Sequence, residues 1–230
     1  MKRVFLSVIL CLVTFGISAQ IMRAEELEKY AVSKYGDKWT EAAKNIATQV
    51  QLDKNNCLTF TQVVECPNQT KEQLYVKLNY WYTATFNDAN SVIKLNDKES
   101  GVIIGSGYVA NIAGHVGGMN AYNVSIRPII KTDIKDNKIR ITYTVQDYEV
   151  LKSVGGGILS AFGNGSTRST LADEKWTLEK SYPFVEKDAY GAKKTSSKAL
   201  VMTFAYSNVI MDKIVEAAKN GLVGNENDNW

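Results

Sequence analysis

The side chains able to do covalent chemistry are few. His115 is the chain's one histidine and stands in Ala113-Gly-His-Val-Gly117. Catalysis through an imidazole would have to use it, yet no carboxylate partner or oxyanion-hole pattern accompanies it. A histidine in such a stretch is ordinarily a solvated bystander. Asp97 and Glu99 put two carboxylates close together in Asp97-Lys98-Glu99-Ser100-Gly101. Alternating charge before a glycine reads more simply as an exposed hairpin turn. Gly105-Ser-Gly107-Tyr-Val-Ala110 imitates the start of a dinucleotide fingerprint. That motif needs a strand-to-helix turn, whereas these glycines sit within a strand and mark a bulge or close packing under Trp81.

Metal chemistry finds no better footing. The three cysteines are Cys11, Cys57 and Cys66. One histidine and two separated cysteines do not make a zinc site. Asp53-Lys-Asn opens like a calcium loop, but position twelve would be Val64 instead of a carboxylate. We therefore expect no metal and no cofactor. Cys57 and Cys66 flank Leu58–Glu65, which reads as a strand. Nine extended residues at ~3.3 Å each hold the cysteines roughly 30 Å apart, and a disulfide tolerates about 7 Å. Two unpaired thiols are expected.

What remains is a surface. Alternation along the strands would place Thr59, Thr61, Glu65, Lys94, Arg127, Lys131, Arg140, Thr142, Thr144 and Gln146 on one open sheet face. Four cations, Lys94, Arg127, Lys131 and Arg140, then stand against one carboxylate, a pattern that suits an acidic ligand or a glycan. The plainer alternative is a solvated face rich in threonine.

The elements that must position these residues follow from composition and periodicity. Lys2 and Arg3 precede the apolar run Val4–Ile17, and Gly16, Ser18 and Ala19 supply small residues for a signal-peptidase cut. The expected leader is residues 1–19, so the chain is expected to be exported, to the periplasm or the cell surface. Cys11 lies mid-core behind Leu10, the wrong context for lipidation. The other segments offer no run long and apolar enough to span a bilayer. Once Lys2 and Arg3 leave with the leader, charge is close to balanced, which argues against nucleic acid as a partner.

Residues 20–56 read as a helical hairpin: Arg23–Tyr35, a stop at Gly36, and a second helix capped by Asp37 with Trp39, Ala42, Ala43, Ile46 and Val50 on one face. Residues 57–223 read as an α+β domain. Leu58–Glu65 is a strand. Thr70 and Gln73 form a capping box for a helix reaching Phe86, with Leu74, Leu78 and Trp81 inward. Ser91–Val109 is a hairpin, Ala110–Ala121 a glycine-rich connection, Tyr122–Ile134 one strand, and Ile139–Gln146 another. Pro128 marks an edge or a bulge. A Gly/Ser-rich excursion covers 152–170, with Trp176 and Tyr182-Pro183-Phe184 pinning the chain back afterwards. Thr195 or Ser196 caps a final helix, Lys198–Asn220, stopped by Gly221. Residues 224–230 form a polar tail. Helices gathered on one face of an antiparallel sheet make a two-layer domain with the order β-α-β-β-β-β-α after the hairpin.

The run Lys71–Val150 resembles a family of bacterial exported proteins known as domain of unknown function 4468. The matching pieces are KEQLY at Lys71–Tyr75 with Trp81, IKLNDKESGVIIGSGYV at Ile93–Val109, and SIRPIIKTDIKDNKIRITYT at Ser125–Thr144. Upstream, Tyr35–Trp39 and Leu52–Asn56 are similar to the leading segment of some members. The resemblance implies a fold like one half of the TATA-binding protein, a curved antiparallel sheet with helices on one face. It implies no activity, cofactor or site residue.

The expectation for function is a non-enzymatic exported domain that binds a small ligand, glycan or protein through the open sheet face or the loops. Two alternatives stand beside it. One is a cell-envelope hydrolase using His115 or loop carboxylates such as Asp97 and Glu99. The other is a structural accessory part of an envelope assembly.

Overall fold

A computed structural model of the chain describes residues 22–85, 92–117, 120–154 and 170–221. The expected leader, Phe86 at the expected end of the third helix, Ser91 at the start of the expected hairpin, residues 155–169 of the expected excursion, and the expected tail lie outside these residues.

The helical hairpin forms, but Asp37 does not cap its second helix, whose N-cap is Lys38 with no side-chain cap, and Val50 lies beyond its end. Helix α1 (Ala24–Tyr35) ends where Gly36 takes φ +88°, its N–H bonding the Val32 carbonyl at 2.9 Å. Helix α2 (Trp39–Ala47) buries Ala42, Ala43 and Ile46. Strand β1 (Leu58–Glu65) follows, with Cys57 and Cys66 at its two ends, both buried and both free thiols. Burial pushes each thiol's pKa up. The capping box of α3 (Lys71–Thr85) is present in full: Thr70 Oγ1 accepts from Gln73 N at 3.3 Å, and Gln73 Oε1 accepts from Thr70 N at 2.9 Å.

Strands β2 (Ile93–Asp97) and β3 (Val102–Ser106) form the expected hairpin. Beyond it the structure corrects the reading of 110–121. That stretch is no open connection but most of a second hairpin, β4 (Val109–Gly117) with β5 (Asn120–Ile126). The expected single strand Tyr122–Ile134 is also two, broken at Arg127-Pro128, with β6 running Ile129–Lys135. Strand β7 (Lys138–Val145) is followed by β8 (Asp147–Val154) and, after the undescribed residues, β9 (Thr170–Thr177). Lys152–Val154 and Thr170 thus belong to strands instead of the excursion.

The strands make two antiparallel sheets, ordered β1-β7-β6-β3-β2 and β4-β5-β8-β9. Three lengths of chain cross from one to the other: β3 into β4 through Gly107-Tyr108, β5 into β6 through Arg127-Pro128, and β7 into β8 through Gln146. Pro128 has no N–H to give a ladder, and it falls where the ladder breaks. Its carbonyl accepts from Gly107 N at 3.1 Å.

The final helix, α4 (Lys193–Asn220), begins a turn before its expected start. Thr195 and Ser196 are buried inside it instead of capping it; its N-cap is Ala192, with no side-chain cap, and the turn leading into it is organised by the Asp188 carboxylate. That carboxylate accepts from the N–H groups of Tyr182 and Tyr190 at 3.0 Å and of Ala192 at 3.1 Å. α4 packs on β1, β4 and β7 on one side and on α1, α2 and α3 on the other. This explains why its buried residues run round the helix instead of along one stripe. Trp176, fully buried, stacks on Tyr190 at 4.9 Å and pins the end of β9 as its composition suggested. No described helix is long and apolar enough to cross a membrane.

Candidate binding face

Helices cover the inner faces of both sheets, so the outer faces are where a ligand could lie. On the five-stranded sheet the register fixes which side chains share the outer face. Val63, Arg140, Asp133, Val102 and Asp97 form one cross-strand row, and Thr61, Thr142, Lys131, Ile104 and Leu95 form the next. A third row at the sheet's corner joins Glu65, Lys138 and Lys135. Strands ~4.8 Å apart put such neighbours within reach of one another.

Asp133 is the centre of this face. Lys131 Nζ lies 2.7 Å from its Oδ1, and Arg140 Nη2 lies 2.9 Å from its Oδ2. Partial burial pushes the Asp133 carboxyl up, but bonds and charge from Lys131 and Arg140 outweigh that and hold it below the ordinary carboxylate range. Two cations share one anion, so positive charge is left over. Lys135 and Lys138 add to it, and with Val63, Asp133 and Arg140 they line a recess of about 230 Å³.

The four predicted site residues are therefore not one cluster. Lys131 and Arg140 are brought together. Arg127 stands at the break between β5 and β6, where it donates to Glu149 through Nε (2.9 Å) and Nη2 (3.3 Å). Its guanidinium also lies 4.9 Å from the centroid of the Tyr108 ring. Bonding to Glu149 keeps Arg127 firmly charged and ties the two sheets at their junction. Lys94 sits in β2 beside the pairing irregularity between Ile93 and Leu95. Lys135 and Lys138 were missed as site residues because they read as turn. Asp133 carried a usable signal, since it is two residues from Lys131 and so shares its face.

The candidates for hydrolysis fall apart in space. His115 is an exposed residue of β4 in the four-stranded sheet, its ring 6.3 Å from that of Tyr122. Asp97 is the last residue of β2 in the other sheet, and Glu99 lies in the turn that follows it. Asp97 accepts from the Ser100 N–H at 3.0 Å, a bond that lowers its pKa and commits it to the turn. Gly105 is required for packing, under Tyr82 and not Trp81: a Cβ there would lie 2.8 Å from the Tyr82 ring. Among the described residues, no three His, Cys, Asp or Glu side chains are placed to hold a metal ion.

One known family matches part of the chain. Residues 60–149 match the family model described as a domain of unknown function (DUF4468) with TBP-like fold. This stretch is a DUF4468 domain. It runs from β1 to the start of β8 and holds Lys94, Arg127, Lys131, Asp133 and Arg140, whereas α1, α2, β9 and α4 lie outside it. No curated protein matches the chain. Two solved structures resemble it. A TBP-like protein from Parabacteroides distasonis is 13% identical, with a TM-score of 0.49 over 74% of this chain and 97% of that one. A DUF4468 family protein from Bacteroides ovatus is 16% identical, with a TM-score of 0.40 over 73% and 90%.

Proposed function

We propose that the chain is an exported, non-enzymatic binding domain, its leader removed after Ala19, and that the outer face of the five-stranded sheet takes an anionic ligand or the acidic surface of a protein partner. The helical hairpin and the α+β segment act in it as one body, because Leu27, Ala31, Ala42, Ala43 and Ile46 share a core with the sheets and α4. The observation that carries the reading is the register. It gathers Lys131, Lys135, Lys138 and Arg140 against Asp133 and Glu65 on a face that no helix covers. Exposed pairs such as these contribute little to stability, so their charge is available for recognition.

The test is calorimetric titration with an oligogalacturonate at low ionic strength, where surface charge is least screened. The paired change Lys138→Glu with Arg140→Glu should weaken binding by about tenfold or more, equivalent to about 1.4 kcal/mol. Added salt should weaken the wild type in the same direction. Unchanged affinity in the paired variant would remove this face from the account.

A further inference from the structure

The four-stranded sheet carries a second recess, of about 470 Å³, on its own outer face. Its walls and floor come from Tyr108, Asn111, Asn123, Leu151, Asp173 and Lys175. The register builds it. Asn123, Leu151 and Asp173 lie opposite one another on β5, β8 and β9, with Ser125, Glu149 and Lys175 as the neighbouring row. On the β4 side the pairing with β5 is irregular between Val109 and Ala113. There Asn111 takes φ +59°, and its N–H reaches Ser125 Oγ at 3.3 Å. Bulges of this kind re-aim side chains beside binding sites.

The chemistry of the lining selects a ligand class. Glu149 is held by Arg127, and Lys175 by Asp147 at 3.2 Å. Among the described residues, the side chains of Asn111, Asn123 and Asp173 have no protein partner. Each amide offers donors and acceptors together, and the Asp173 carboxylate offers acceptors alone. A sugar hydroxyl is both donor and acceptor, so a row of hydroxyls matches such a mixed set. Tyr108, whose ring has the Arg127 guanidinium over one face, and Leu151, each 43% exposed, give apolar surface for the C–H face of a ring. Asp173 leaves the recess with an unneutralised negative charge, which disfavours an anion.

We infer that this recess is a second binding site, for a neutral polyhydroxylated ligand of the oligosaccharide class, separate from the basic face. It includes Asp173 and Lys175 of β9, which lie outside the family match.

The experiment is an amide NMR titration of the folded chain with a tetrasaccharide of glucose and one of N-acetylglucosamine. The expected result is saturable shifts from at least one sugar, centred on Tyr108, Asn111, Asn123, Leu151 and Asp173. Asn123→Ala and Asp173→Ala should each weaken binding about fivefold, the worth of one hydrogen bond. Both side chains are exposed and unpaired, so the variants should keep the wild-type fold. Lys131→Glu with Arg140→Glu should bind the sugar as wild type does, which separates this site from the anionic reading. Absence of saturable shifts with both sugars, shifts placed elsewhere, or wild-type affinity in both alanine variants would overturn the inference.

Discussion

The two outer faces share the three lengths of chain that cross between the sheets, yet they treat their polar groups in different ways. On the five-stranded side, Asp133 is consumed by Lys131 and Arg140, and cations are left in excess. On the four-stranded side the cations are the consumed groups: Arg127 by Glu149, and Lys175 by Asp147. What is left there is amides and one carboxylate. The contrast comes from where the strands break. Arg127 and Lys131 are four residues apart and would share a face on one unbroken strand. The change of sheet at Arg127-Pro128 sends Arg127 to the junction and leaves Lys131 in the basic row. Ligand preference is thus set by pairing across the break as much as by the charges in the chain.

The contrast can be strained first from beneath. Gly105, in the five-stranded sheet, faces the buried ring of Tyr82, and an added Cβ would stand 2.8 Å from it. Gly114 on β4 is looser, the nearest atom being a backbone oxygen at 3.2 Å. Gly105→Ala should therefore cost about 1–3 kcal/mol, as overpacking does, and Gly114→Ala should cost less. Denaturant unfolding of the two variants checks the order. Equal losses would mean that the halves are packed with the same tolerance.

A smaller effect sharpens the charge comparison. Asp133→Asn should change stability near neutral pH by less than about 1 kcal/mol, because the pairs are partly exposed. It should strengthen oligogalacturonate binding by releasing Lys131 and Arg140. The native carboxyl titrates below its unfolded value of about 3.9. Its contribution is full above that value and is lost as the pH falls through the native pKa. Wild type and Asp133→Asn should converge in stability below about pH 4 on these grounds. A gap that persists into stronger acid would mean that Asp133 acts by packing and not by charge.

The fold class could be read from the chain because periodicity, the helix stops and most turn residues agreed, although Asp37 and Thr195 or Ser196 do not cap their helices. Thr70 with Gln73, Gly36, Gly221 and the turn before Gly101 each sit where the pattern put them. The second sheet was hidden for two physical reasons. ANIAGHVGGMNA has the glycine content of a loop, and its pairing is supplied by β5, a partner that local propensity does not reveal. The break at Pro128 was masked because Val124, Ile126, Ile130 and Ile134 are all buried, so inward alternation runs through it unchanged. The basic face was half visible. Lys131 and Arg140 follow from alternation, while Lys135 and Lys138 gain meaning only from register with Glu65. The oligosaccharide recess was not legible at all, since Asn111, Asn123 and Asp173 lie far apart in sequence and meet only across β4, β5, β8 and β9.

One experiment bears most directly on the division between the faces. A single isotope-labelled sample is saturated with oligogalacturonate and then titrated with the neutral tetrasaccharide that binds. The account predicts two separate sets of shifted amides, one around Lys131, Asp133 and Arg140 and one around Asn111, Asn123 and Asp173, with sugar affinity unaffected by the anion. Overlapping sets, or displacement of one ligand by the other, would contradict it.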